Sequence, residues 1–142
     1  MKLQLFSILC AAVLGLTGCG ADNQPPAENT GRVQVFPQTI TAAEAKAMME
    51  AETDFVLLDV RTEAEYLERR IAGAILLPNT EIEDRAAAVL PDQAQTILVY
   101  CRSGRRSAEA ANALSRLGYT NVYDFGGLQD WAYDTVSGTA ET

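Results

Sequence analysis

Thr96-Ile97-Leu98-Val99-Tyr100-Cys101-Arg102-Ser103-Gly104-Arg105-Arg106-Ser107 joins an apolar, β-branched run to a short loop with one glycine and three arginines. Ala108-Glu109-Ala110-Ala111-Asn112-Ala113-Leu114 follows, with the composition of a helix. Strand, tight loop and helix in this order turn backbone N–H groups and the positive end of a helix toward one point. A cysteine at that point is held as the thiolate, because the helix end and nearby guanidinium groups favour the charged form. The thiolate is the nucleophilic form, and Arg102, Arg105 and Arg106 would attract an anionic substrate. A cysteine ending a buried strand is ordinarily an inert apolar residue. The arginine cluster weighs against that reading here.

The same alternation runs through the chain on both sides. Residues 33–36 are expected as a short strand, and Thr41 as the cap of a helix over 42–50, with Glu44 completing a capping box. Residues 55–60 form an apolar run of the sort buried on both faces of a parallel sheet. Thr62 caps a second helix, again with a glutamate, Glu65, three residues later. A strand over 74–77 ends at Pro78, a helix over 81–90 is closed by Pro91, and a helix over 107–117 stops at Gly118. A last strand over 121–125 precedes Gly126-Gly127, read as a turn with positive φ, and a short helical turn through Trp131. Strands alternating with helices across short connections specify an α/β domain with a mostly parallel sheet. Ligands in such sheets sit beyond the carboxyl ends of strands, and Cys101 lies just past one.

The N-terminal residues read as an export signal. Lys2 supplies a positive start, residues 3–16 are an apolar run too short for an ordinary membrane span, and Leu16-Thr17-Gly18-Cys19 resembles the bacterial lipobox. That resemblance implies a lipoprotein signal peptide over 1–18 and a lipid on Cys19. Residues 19–31, with Pro25-Pro26 among polar residues, read as a flexible tether, and 32–142 as one domain. The full sequence carries a formal charge of −8, and loss of Lys2 makes it more negative still, which disfavours nucleic acid as a partner. With Cys10 removed and Cys19 lipidated, Cys101 is the domain's single thiol, so an internal disulfide is excluded. Histidine is absent, which excludes a Cys–His dyad and the usual zinc sites; no metal or other cofactor is expected.

Taken together, four segments resemble the single-domain rhodanese family of sulfurtransferases. They are Leu57-Leu58-Asp59-Val60-Arg61 with Glu65-Tyr66, Ile71-Ala72-Gly73-Ala74 with Pro78, the cysteine loop from Val99 to Ser107, and Gly118-Tyr119 leading to Gly126-Gly127 and Trp131. The resemblance implies a rhodanese-like α/β fold, a five-stranded mostly parallel sheet with helices on both faces, and a cysteine that carries sulfur as a persulfide. Cys101 is then the catalytic residue, and Arg102, Ser103, Gly104, Arg105 and Arg106 the substrate-binding loop. Arg102 and Arg106 are expected to bind the donor, with Arg105 the most exposed. Asp59 and Arg61 stand as candidates for orienting the loop, although an ion pair at a strand end is also a purely structural device. The chain departs from the family in one place: Arg69-Arg70 replaces the usual Gly-His.

The expected function is transfer of a sulfane sulfur from a small anionic donor such as thiosulfate to a thiol or cyanide. Two readings stay open beside it: a phosphatase or arsenate reductase, and a non-enzymatic binding module tethered to the envelope. Loops of the former kind resemble Cys-x5-Arg, whereas Arg106 falls one place earlier and Ser107 occupies that position. The expected location is the bacterial cell envelope, with Cys19 anchored in the membrane, the outer membrane favoured by Gly20, and the domain in the periplasm or on the outer surface. Cys19→Ala is expected to release the protein from the membrane fraction. A variant that still pellets with membranes in high salt would contradict lipid attachment.

Overall fold

A computed structural model describes residues 35–139. The signal over 1–18, Cys19, the tether over 19–31 and the remaining ends of the expected domain lie outside the described residues. At the centre, β2 (Phe55–Asp59) and β4 (Thr96–Cys101) pair in parallel, with Phe55 opposite Thr96 and Asp59 opposite Tyr100. β5 (Val122–Gly127) pairs on the other side of β4, followed by β1 (Gln38–Thr39) at one edge; β3 (Ile75–Leu76) forms the other edge beside β2. The order is therefore β1-β5-β4-β2-β3, a five-stranded parallel sheet. The helices are α1 (Ala42–Ala51), α2 (Glu63–Glu68), α3 (Ile82–Val89) and α4 (Arg105–Arg116), with 3₁₀ turns at Asn79–Glu81 and Leu128–Asp130.

Side chains alternate between the faces of a strand, and this alternation sorts the core into two clusters. Ile97, Val99 and Cys101 of β4 share one with Ile82 and Ala86 of α3 and Ala110 and Leu114 of α4. Leu98 and Tyr100 share the other with Ala45 of α1, Tyr66 of α2, Phe125 and Trp131. Cys101 thus faces the side of the sheet that α4 covers. Both helix caps follow from the sequence: Thr41 with Glu44, and Thr62 with Glu65, form reciprocal capping boxes.

Several boundaries differ from the sequence reading. The first described strand is Gln38–Thr39, beyond Pro37, and residues 35–36 are not in a strand. Proline has no N–H to give a sheet ladder, and the pairing to β5 begins only after it. Cys101 is the last residue of β4 rather than the first of the loop, held opposite Gly127 after a register shift. α4 begins at Arg105, two residues before the expected start, so two of the loop arginines lie in its first turn. Gly126 and Gly127 continue β5.

Two arginines are built into the interior. Arg61 is 4% exposed and grips fully buried Asp59, with Nε donating to Oδ1 at 2.9 Å and Nη2 to Oδ2 at 2.6 Å. The same Nη2 donates to the Arg69 carbonyl at 2.6 Å, which ties the end of α2 to the end of β2. Arg70 lies over the Tyr66 ring, 4.5 Å from its centroid, and donates to the Gly138 carbonyl at 2.5 Å. Its backbone forms an antiparallel bridge with Val136, so Arg70 straps the C-terminal segment to the domain. Asp59→Ala would leave the Arg61 guanidinium buried without its carboxylate. The expected loss is about 3–5 kcal/mol of folding stability, read as a fall in the chemical-denaturation midpoint.

Candidate active site

A buried sulfur forms the centre of the site. Cys101 is 1% exposed, and the chain turns back over it through Gly104, whose φ of +102° is a left-handed conformation suited to glycine. That turn directs the Gly104 N–H to Cys101 Sγ at 3.0 Å. Ser107, fully buried in α4, places its Oγ 3.6 Å from the sulfur, and also within reach of the Gly104 and Gly126 carbonyls at 3.0 and 3.2 Å. A hydroxyl has one hydrogen to give. It can turn to a carbonyl while the thiol donates to it, or to the sulfur once the thiol has ionised. Burial pushes the Cys101 thiol up, but the Ser107 hydroxyl and the amides of Ser107, Gly104 and Ser103 outweigh it, and the thiol is held below its ordinary range.

The end of β5 and the 3₁₀ turn that follows it pack against the loop. The Gln129 N–H donates to the Arg102 carbonyl at 3.2 Å. A Cβ on Gly127 would lie 2.3 Å from that carbonyl oxygen. Gly126 has the positive φ expected of the pair, but Gly127 does not; it is required by close approach of two backbones.

The three loop arginines have different partners. Arg106 closes its fork on Glu65, Nη1 to Oε2 at 2.9 Å and Nη2 to Oε1 at 2.8 Å. It is therefore engaged in holding the first turn of α4 against the first turn of α2, and its fork is not open to a donor. Arg105, with 75% of its side chain exposed, pairs with Glu109 one turn along α4. Arg102 is exposed and forms no ion pair among the described residues. Asp59 and Arg61 make no side-chain hydrogen bond to residues 101–107 among the described residues; outside the pair, Arg61 donates to the Arg69 carbonyl and lies over the ring of Tyr100, 5.6 Å from its centroid.

Beside the loop, a cavity of about 460 Å³ opens between Arg102 and the end of α2, where Glu65, Glu68 and Arg69 line it, with Leu128 and Gln129 on the β5 side. Glu65, Arg69 and, at the sulfur, Ser107 are among the residues here that are not expected as site residues from the sequence. The sequence shows Glu65 as half of a capping box and part of a family-like segment, Ser107 as the end of the cysteine loop and a helix start, and Arg69 as a departure from a motif. The signal available was Ser107 itself, a polar residue six positions after the cysteine, on a helix that must pack against the sheet.

Residues 41–134 match the family described as the rhodanese-like domain. The chain is similar to the thiosulfate sulfurtransferase PspE of Escherichia coli, with 42% identity over 81 residues, covering 57% of this chain and 78% of that protein. Among solved structures it is similar to one described as a rhodanese with anions from E. coli. That match has a TM-score of 0.55 and 41% identity, over 58% of this chain and 98% of the other. The Alr3790 protein from Anabaena is also similar, with a TM-score of 0.65 and 29% identity, over 71% of this chain and 94% of that one.

The Glu65 clamp has a pH signature. The Arg106 fork, opposed by burial and helped by Thr62, lowers the Glu65 carboxyl from its ordinary 4.5 to about 2. A carboxyl depressed by folding stabilises the fold fully above its unfolded value, and that contribution is lost as pH falls through the folded value. Glu65→Gln is therefore expected to be less stable than the native chain by a constant margin above about pH 5. The margin should shrink between pH 4.5 and 2. Denaturation midpoints of the two proteins across that range check it; parallel profiles would show that the clamp carries no charge-dependent stability.

Proposed function

The chain belongs to the rhodanese-like domain family and is a rhodanese-type sulfurtransferase, and from that premise we propose that it moves a sulfane sulfur through a persulfide on Cys101. The observation that carries this reading is the buried Cys101 sulfur facing the Gly104 N–H at 3.0 Å, with its thiol held below its ordinary range. A nucleophile prepared in this way needs no adjacent histidine, and the sequence has none.

With thiosulfate as donor, the Cys101 thiolate attacks the outer sulfur. The S–S bond of the donor breaks, sulfite leaves with the electron pair, and a cysteine persulfide remains. A thiolate or cyanide then attacks the outer sulfur of the persulfide and takes it as a new persulfide or as thiocyanate, and the Cys101 thiolate returns. Charge stays on sulfur throughout, so donors fixed at the loop serve both half-reactions. Ser103, Gly104 and Ser107 supply amides, and the Ser107 hydroxyl follows the charge by rotation. Arg102 is the loop arginine without an ion pair among the described residues, and we assign it the anionic end of the donor. Arg106 acts through Glu65 as a positioning residue. Arg105 is exposed and neutralised by Glu109, and it is given no part in binding the donor. The lipobox-like segment ending at Cys19 places this activity, in our reading, at the cell envelope on a lipid-anchored tether.

Two half-reactions with a covalent intermediate give ping-pong kinetics. Intact-mass measurement after thiosulfate treatment is expected to show a gain of one sulfur atom, reversed by cyanide and absent in Cys101→Ser. Hydrolysis of an aryl phosphate without sulfur uptake would replace this reading with a phosphatase. A folded protein with neither activity would replace it with a binding module.

A further inference from the structure

The cavity beside the cysteine loop contains more charge than its own ion pairs use. Of its charged lining, Arg61 is satisfied by Asp59 and the Arg69 carbonyl, and Glu65 by Arg106 and Thr62. Arg69, Arg102 and Glu68 remain, and none has a side-chain partner among the described residues. All three are exposed. The two residues come from different elements, the end of α2 and the loop after β4, and both backbones are fixed. The Arg69 N–H closes α2 on the Glu65 carbonyl at 3.1 Å, its carbonyl receives Arg61, and the Arg102 carbonyl receives Gln129. Sites mounted on backbone held from both sides are preorganised for a ligand.

Size and sign then select the ligand. A volume of about 460 Å³ falls within the range that holds a small organic molecule, far more than a five-atom oxyanion needs. Two free guanidinium groups suit carboxylates, which they can grip in a planar fork. Glu68 adds one negative group at the rim, so the cavity presents both signs and fits an amino-acid or peptide ligand better than a bare polyanion.

On the reading of the protein as a persulfide-forming sulfurtransferase, we propose that this cavity is the acceptor subsite for a carboxylate-bearing thiol of amino-acid or peptide type, with Arg69 as the residue that selects it. The acceptor's carboxylate lies between Arg69 and Arg102, its ammonium group faces Glu68, and its thiol is directed at the loop that holds Cys101. Arg69 stands outside the cysteine loop, on a different element, and its contribution is to acceptor choice.

The test uses the full chain, thiosulfate as donor, and a matched pair of acceptors: the dipeptide Cys-Gly and its C-terminal amide, which differ by one carboxylate. The native chain is expected to favour the free carboxylate in kcat/KM by roughly tenfold, the effect of one charge-assisted hydrogen bond. Arg69→Ala should abolish that preference, and Arg69→Lys, a point charge without the fork, should restore it in part. Calorimetric titration with S-methyl-Cys-Gly, which cannot accept sulfur, should show tighter binding to the native chain than to Arg69→Ala. No preference in the native chain, or one that survives Arg69→Ala, overturns the proposal. Failure of Cys101 to gain sulfur from thiosulfate overturns the sulfurtransferase reading instead, and the titration alone then decides whether the cavity binds the carboxylate.

Discussion

A sulfur that is 1% exposed and must carry a negative charge imposes the constraint on which this structure depends. Isolated charges are costly to bury, and no cationic side chain has a hydrogen bond to Cys101 Sγ among the described residues. The compensation comes from amide dipoles and one hydroxyl, whose effect falls away quickly with distance and angle. The loop over 101–107 therefore has to keep one shape. Gly104 provides the left-handed turn, Gly127 lets β5 pass against the Arg102 carbonyl, and Gln129 holds that carbonyl from the other side. Each is a backbone requirement, and each serves the position of one sulfur atom.

Glu65 extends the same constraint outward. Its carboxylate accepts from the Thr62 backbone N–H and hydroxyl, and also from both Nη atoms of Arg106. One side chain thus starts α2 and fixes the first turn of α4, the turn that presents Ser107 to the sulfur. The buried Asp59–Arg61 pair does the equivalent for the end of α2, because Arg61 donates to the Arg69 carbonyl. Removal of either partner of such a pair strands a charge, which is why these contacts hold geometry more firmly than their net energy implies.

The distribution of arginines reconciles an acidic chain with an anion-handling site. Arg61 and Arg70 are buried and serve the fold, Arg106 and Arg105 are neutralised by glutamates, and Arg116 lies near Glu83. Arg69 and Arg102 are left without ion pairs among the described residues, and they share one cavity. Lys46 and Arg85 are paired as well, so among the described residues exposed positive charge without an acidic partner is confined to this cavity, while the overall field stays negative. Such an arrangement attracts anions only at short range.

The sequence by itself determined the elements that depend on local chemistry. Alternating apolar runs and helix signals specified a parallel α/β sheet, the Thr41 and Thr62 boxes placed two helix starts, and the cysteine loop between a buried strand and a helix marked the nucleophile. Those features depend on neighbours within a few residues, so they can be read along the chain. Tertiary structure decided what depends on segments distant in sequence. The start of β1 follows from pairing with β5 after Pro37, not from the propensity of residues 33–36. Arg106 and Glu65 are 41 positions apart, and only folding shows that a helix-capping glutamate also clamps the loop arginine. Gly126 and Gly127 look alike in sequence, yet one is fixed by its own φ and the other by a carbonyl 25 residues earlier. Arg69 and Arg70 are neighbours with opposite fates, one at the cavity and one under the C-terminal segment, because α2 ends between an open mouth and a packed face. Local propensity sets an element's type; which of its side chains meet a charge, a backbone or water is fixed only when the sheet brings distant segments together.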